Sequence, residues 1–495
     1  MTPDQELWKN PRWRPEDLGM PLPESAHANS VCLPEWRDVI DYEEKNPRVI
    51  ERLQAGYPRF VVPPACGKLF ELCRERFALA NENCHAYPTE RSARRCAEMI
   101  TRWSGHEARV VPWPEHSIYV VCFSNADLPS ASKFWRHTGE GISSRRAEAI
   151  LNGKTNRDSI NARVRLKQRI SDLSGAPEDC IYLFKSGMAA IYTLYRVATR
   201  LQPDGACVQY GFPYVDTLKI HQDFGFRSAF FPLGNATDLK TLARISLIDR
   251  LSAIFCEFPS NPLLNSPDIN TLSQIARAHT CPLIVDDTIS SWVNTNLLAH
   301  VDATVTSLTK YFGGRGDVMA GVAILNPDSP LWTKLRTAMN TEYEDCMWGE
   351  NLILLEEYSR DFKERVDKIN RTTEQVCDWL ATRPEVKKVY YPKFETPDKY
   401  NAFKRPGGGY SGLFSIVLKE SSRTTPLFYN RLEISKGPNL GTTFSLCCPF
   451  TLLAHYDELD WAEKCGVSRN LLRFSIGLEE PEDLIARLER AFSVL

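Results

Sequence analysis

Hydrophobic and polar positions alternate along this chain in two regimes that change near residue 130. Downstream, short β-rich apolar runs at Ile181 to Phe184, Cys207 to Tyr210, Ala253 to Glu257, Pro282 to Val285 and Thr304 to Ser307 are separated by longer helical patterns. One of these, Met188, Ile191, Leu194, Tyr195 and Ala198, follows its strand directly. Strands alternating with amphipathic helices predict βαβ units around a mostly parallel sheet. The stretch from Gly349 to Trp379 reads as one long charged helix. A second, smaller α/β unit is expected after it, marked by Val386 to Tyr391, the turn Gly407-Gly408-Gly409 and the β-like run Leu413 to Leu418. Upstream, nine prolines between Pro11 and Pro64 predict an extended arm over residues 1 to about 65. Helical patterns over Lys68 to Asn81 and Thr89 to Trp103, then strand-like runs at Arg109 to Val111 and Ser117 to Phe123, predict a small α/β extension. The expected division is 1–125, 126–385 and 386–495.

Composition narrows the function classes. With 495 residues, 43% hydrophobic and 25% charged, the chain can bury a large core. Sixty basic residues against 62 acidic ones, with no long basic run, argue against a nucleic-acid partner. The longest apolar stretches fall well short of the roughly 18 to 20 residues that cross a bilayer, so no membrane role is expected. Met1 to Trp13 shows neither an apolar signal core nor an Arg-rich presequence, which predicts a cytoplasmic protein. In that compartment the 15 cysteines, without a CxxC pair, read as reduced thiols, and no metal ligands are assigned.

The chemistry concentrates at predicted strand ends, where ligands of open α/β sheets sit. Asp286 closes the run Pro282 to Val285, and Lys310 follows the run Asp302 to Thr309 just before the glycine turn Gly313-Gly314-Arg315-Gly316. A lysine able to form a Schiff base, an acid for a pyridine nitrogen and hydroxyls for a phosphate are the parts that pyridoxal phosphate needs. Singly, each has a plainer reading: Asp286 as a turn cap, Lys310 as a solvated loop residue and Ser186 as a helix N-cap. Two look-alikes fail. Gly153-Lys154-Thr155 lacks the first glycine of a nucleotide P-loop, since Glu148 stands there, and Arg315-Gly316-Asp317 lies in a chain with no export signal.

Taken in order, Lys185-Ser186-Gly187-Met188-Ala189-Ala190-Ile191, Glu257-Phe258-Pro259-Ser260-Asn261-Pro262-Leu263, Val285-Asp286-Asp287-Thr288, Ser307-Leu308-Thr309-Lys310-Tyr311, Gly316 to Gly321 and Leu472 to Glu479 carry a resemblance. From about residue 130 the chain resembles the cystathionine γ-synthase family of pyridoxal-phosphate enzymes. Leu18-Gly19-Met20-Pro21 and the segment His137 to Arg146 resemble its long fungal branch. The resemblance implies a fold-type-I transferase with a large mostly parallel sheet domain, a smaller C-terminal α/β domain and an N-terminal extension. It also implies pyridoxal 5'-phosphate as cofactor, an amino-acid substrate, and a homodimer or homotetramer with shared active sites.

By the same resemblance Lys310 carries the cofactor as a Schiff base, Asp286 holds its pyridine nitrogen and Tyr214 stacks on its ring. Gly187, Met188, Thr288, Ser307 and Thr309 surround it. Arg473 clamps the substrate carboxylate, with Asn261 alongside, a task for which a planar guanidinium is suited. A surface ion pair of Arg473 with Glu479 or Glu480 is the competing reading. Family members usually have a Tyr-Ser-Arg segment reaching a neighbouring subunit's phosphate. The match here, Ser143-Ser144-Arg145, lacks the aromatic and leaves Arg145 as the candidate. Pro438-Asn439-Leu440-Gly441 stands where many members have Glu-Ser-Leu-Gly, which makes Asn439 a candidate for placing the second substrate. The implied reaction is γ-substitution on an O-acylhomoserine through a vinylglycine-type ketimine. With cysteine as nucleophile it gives cystathionine; a β-keto acid such as acetoacetate would form a carbon-carbon bond, and hydrolysis would make a γ-lyase.

Overall fold

The computed structural model describes residues 7–245 and 250–495. Three sheets follow one another along the chain. The first joins β1 (Glu82–Tyr87), β3 (Ile118–Ser124) and β2 (Arg109–Trp113), all antiparallel, against the helices Pro64–Phe77 and Glu90–Ser104. Thr89 caps the second helix through Ser92 N–H, close to where the pattern started it. β1 was not legible, because Glu-Asn-Cys-His-Ala-Tyr lacks the β-branched residues that mark strands.

The central sheet runs β4 (Ile181–Phe184), β10 (Gly321–Leu325), β9 (Ala303–Thr306), β8 (Leu283–Asp286), β7 (Leu251–Glu257), β5 (Ala206–Tyr210) and β6 (Ser228–Phe231). β9, β8, β7, β5 and β6 are parallel, and β10 pairs antiparallel with both β4 and β9. Every residue of β7 is buried, as expected for a strand covered by helices on both faces. The five strands predicted from apolar runs are all present; β6 and β10 are additions.

The third sheet orders β11 (Val386–Tyr390), β12 (Leu413–Leu418), β15 (Leu472–Ser475), β14 (Leu446–Pro449) and β13 (Ser435–Lys436), antiparallel except for the last pair. The expected single helix over Gly349 to Trp379 is two helices, Gly349–Tyr358 and Phe362–Ala381. They part at Ser359-Arg360-Asp361, where the Ser359 hydroxyl donates to Glu356 O (3.2 Å) and Asp361 pairs with Arg365 (2.8 Å).

The N-terminal arm is less extended than its prolines suggest. It contains the helices Trp36–Glu43 and Pro47–Ile50, whose Val39 and Val49 are fully buried among Val376, Phe428 and Tyr429 of the third sheet's layer. Lys436 N–H donates to Arg12 O, and Leu33 N–H to Lys436 O (3.0 Å), so the arm is tied to β13 before it turns toward the central sheet. No described helix is long and apolar enough to cross a membrane.

One buried histidine sets an acid limit on this core. His221, on the helix Val215–Asp223, packs on Phe255 (4.6 Å between ring centroids), and neither ring nitrogen has a hydrogen-bond partner among the described residues. Burial pushes its pKa from 6.5 down to about 3. The unfolded chain takes up this proton near 6.5 while the folded chain refuses it, so stability present above that pH is lost as pH falls toward 3. His221→Phe is expected to remove this loss, about 2 kcal/mol at pH 5, measured by urea unfolding at pH 5 and 7.5. An unchanged difference between the two pH values would count against it.

Candidate active site

The C-terminal ends of β4, β7, β8 and β9 open into a cavity of about 1110 Å³. Asp286 is the last residue of β8 and sits beside Glu257, the last of β7, in parallel register. Ser186 caps the helix Gly187–Leu201 by accepting Ala189 N–H, which leaves the helix N-terminus facing the cavity where Gly187 and Met188 line it. A Cβ on Gly187 would lie 2.9 Å from the Ser307 Cβ, so only glycine lets the loop after β9 approach this closely.

Lys310 is half-buried in the cavity wall, and its Nζ donates to Asn439 Oδ1 at 2.6 Å. Burial drives its pKa down, because the ammonium loses its water. Asp286 Oδ1 accepts Thr288 N–H (2.9 Å), and burial raises its pKa, opposed by Thr288 and Lys310. The Thr288 hydroxyl in turn accepts Ser307 N–H at 2.8 Å. Nearby, Arg473, 4% exposed, donates to Asn261 Oδ1 (3.1 Å), Pro438 O (2.7 Å) and Asn439 O (3.3 Å). No ion pair with Glu479 or Glu480 forms: Glu479 accepts from Ser445, and Glu480 pairs with Lys368.

Lys310, Asp286, Tyr214, Gly187, Met188, Thr288, Ser307, Arg473 and Asn261 therefore meet around one cavity, with Asn439 touching Lys310. Two candidates stand apart. Thr309 is 1% exposed, and its hydroxyl both donates to Ala320 O (3.1 Å) and accepts Ala320 N–H (3.0 Å), which fastens the lysine loop to the segment before β10. Arg145 faces a smaller neighbouring cavity and is paired with Asp317 (2.7 Å).

A further cation at the main cavity, Arg59, comes from the arm. In Gly56-Tyr57-Pro58-Arg59 the Lys310 Nζ lies 4.7 Å from the centroid of the Tyr57 ring, and Arg59 donates to the Tyr214 hydroxyl at 2.5 Å. Burial would raise the Tyr57 phenol, but the charges of Lys310 and Arg59 outweigh it and hold it below its ordinary value. Arg59 is locked by the fully buried Asp216, which also bonds His137 Nδ1 (2.8 Å). Burial pushes the Asp216 carboxyl up, and Arg59 and His137 overcome this to hold it at about 2. Glu257 is a further group without an earlier role: its carboxylate accepts Tyr214 N–H (2.5 Å) and Asn261 N–H (2.8 Å), fixing the loops of both residues. The available sequence signal was the spacing: Tyr57-Pro58-Arg59 has both the aromatic and the arginine of a Tyr-Ser-Arg segment, whereas Ser143-Ser144-Arg145 lacks the aromatic.

The sequence pattern of "Cys/Met metabolism PLP-dependent enzyme" matches residues 154–493, most of the chain. The chain belongs to this family. Residues 65–143, which hold the first sheet, match "Fungal trans-sulfuration enzyme, N-terminal domain". Among curated relatives, a cystathionine gamma-synthase of Neurospora crassa is 33% identical over 97% of this chain and 98% of its own length. The cystathionine gamma-synthase-like enzyme iboG1 of Amanita muscaria is 32% identical over 96% and 97%. The crystal structure of metB from Corynebacterium glutamicum superposes with a TM-score of 0.58 at 25% identity, over 67% of this chain and 85% of that one. The family fixes the cofactor class as pyridoxal phosphate and the fold as type I. The close Gly187–Ser307 approach, the Lys310 amine in the cavity wall and the strand-end Asp286 suit that group.

Proposed function

We propose that this enzyme carries out γ-substitution on an O-acylhomoserine, with cysteine as nucleophile and cystathionine as product. The observation that carries the reading is the meeting, in one cavity and on one residue, Asn439, of a carboxylate clamp at Arg473 and Asn261 with the Lys310 amine. Similarity over nearly the whole chain to a fungal cystathionine gamma-synthase supports it.

Bound pyridoxal phosphate supplies the electron sink for chemistry at the substrate's α-carbon. Gly187, Met188 and Ser307 would hold its phosphate at the helix N-terminus, Asp286 its pyridine nitrogen and Tyr214 its face. Arg473 receives the α-carboxylate on a guanidinium already oriented by Asn261 and Pro438. Lys310, kept toward its neutral form by burial, would take the proton from Cα, give it up to the cofactor-bound adduct and, neutral again, take the one from Cβ. The ester leaves from Cγ, the thiol adds there, and Lys310 returns the protons. Asn439 steers the amine between these positions through its single short bond. The amide of Asn439, touching Lys310 where many family members have a small hydroxyl, favours a second reading with a carbon nucleophile such as acetoacetate.

Mass spectrometry of products from O-acetylhomoserine, cysteine and acetoacetate in one tube tests this. A cystathionine mass is expected; a carbon adduct selects the second reading, and ammonia with a 2-keto acid in the absence of any nucleophile would replace both with a γ-lyase. Asn439→Asp provides a pH test of the lysine contact. A carboxylate in place of the amide favours the ammonium form and raises the Lys310 pKa by about 1 to 3 units. Because the neutral amine, released once substrate has bound, is the active form, the acid limb of kcat should move up by the same amount. A profile that coincides with wild type would remove Asn439 from contact with the working amine.

A further inference from the structure

The main cavity continues past Lys310 and Tyr214 to a mouth built partly by the N-terminal arm. Glu43 ends the arm helix Trp36–Glu43, Arg136 lies in the last turn of the helix Leu128–Thr138, and both line the cavity. The Tyr456 hydroxyl, from the facing wall, donates to Glu44 (2.7 Å) and so holds the arm helix at the mouth. Arg136 lies over the Phe60 ring (5.3 Å), and Arg59 lies over the same ring (5.5 Å). The Arg136 guanidinium is thus one ring away from the Arg59–Tyr214 contact.

Other charges at this mouth are already matched. Lys133 pairs with Asp223 (3.1 Å) and Lys219 with Glu458 (3.3 Å). The side chains of Glu43 and Arg136 make no hydrogen bond or ion pair among the described residues, with each other or with any third group. Glu43 is half-buried at a helix C-terminus, where the backbone's partial negative charge disfavours a carboxylate. Burial pushes its pKa up to about 8; Asp457 adds to this, and Arg136 and Lys45 oppose it. Arg136 is therefore close enough to act on Glu43 without meeting it. Lys45 and Asp457 are exposed at the rim, in water. At neutral pH the Glu43 carboxyl ionises fully once a further cation comes to it.

An acid and a base that face one cavity and leave a gap between them are complementary to a zwitterion. We infer that the mouth is a subsite for a free α-amino acid, with Glu43 receiving its ammonium and Arg136 its carboxylate. This rests on the reading that cysteine is the nucleophile, and it gives the arm a part in choosing that nucleophile. A β-keto acid offers an anion to Arg136 and nothing to Glu43.

Three thiols separate the two charges when each is given to the holoenzyme with O-acetylhomoserine: cysteine carries both, cysteamine only the ammonium, and 3-mercaptopropionate only the carboxylate. Glu43→Gln should lower kcat/KM for cysteine and cysteamine by at least about fivefold and leave 3-mercaptopropionate within about twofold. Arg136→Gln should lower cysteine and 3-mercaptopropionate and spare cysteamine. The ratio between thiols is read within one protein, so partial misfolding does not mimic it. The spectral change produced by O-acetylhomoserine alone should match wild type in both variants. Equal losses for all three thiols, or no loss, overturn the subsite and leave the cysteine reading standing. A wild-type enzyme that forms no thioether from any of them overturns the cysteine reading, and the subsite falls with it.

Discussion

Lys310→Ala should lower turnover by at least about 10³-fold while leaving the fold in place. The mutation removes the lysine amine whose charge acts on both Asp286 and Arg473 in the cavity. It also frees the Asn439 Oδ1, a neutral acceptor that water can satisfy in a cavity of this size. Thermal stability should therefore change little, and that contrast separates a chemical role from a structural one. Added primary amines supply the lost base, so methylamine or ethylamine should restore part of the rate in proportion to their concentration. A mutant with wild-type turnover, or one whose loss follows unfolding, would remove Lys310 from the reaction. Purified wild-type protein should be yellow, and the mutant should lose the lysine-dependent absorbance.

How far this site was legible depended on whether a group's partners lay close in sequence. Lys310 and Asp286 could be placed because each follows an apolar run whose end is itself a structural signal, and the strand order then brings those ends together. Arg473 and Asn261 were legible as motif residues, and their bond across the cavity follows from β15 and the loop after β7. Arg59 was not legible: its partners Tyr214 and Asp216 are more than 150 residues away, and a proline-rich arm has no periodicity to project its path. Asp216 stood two residues after Tyr214, yet a lone acid on a helix start reads as a cap until its counter-ion is known. The same limit explains the fold. β10 is short and directly follows a motif that ends at Gly321, and β6 is a partly exposed edge strand with a weak pattern. Arg145 was assigned by motif position alone, and the charge of Asp317 beside it holds it in the second cavity.

The Arg59–Asp216 pair should give the largest stability effect outside the hydrophobic core. Arg59→Met strands a fully buried carboxylate, and breaking one partner of a buried ion pair costs about 3–5 kcal/mol. His137 softens the loss, since its Nδ1 already bonds Asp216. Asp216→Leu strands the guanidinium instead and should cost a similar amount. The double mutant Arg59→Met/Asp216→Leu removes both charges and should recover most of the stability, because replacing a buried pair with apolar groups is close to neutral. Catalysis should not recover with it. Arg59 donates to the Tyr214 hydroxyl and lies over the Tyr57 ring (5.2 Å), so its loss frees both aromatics of the cavity. Urea unfolding of the four proteins gives the coupling energy, and dialysis against buffer followed by absorbance gives cofactor retention. If the double mutant regains activity along with stability, the arm serves only to hold the fold; if it regains stability alone, Arg59 positions Tyr214 for the reaction.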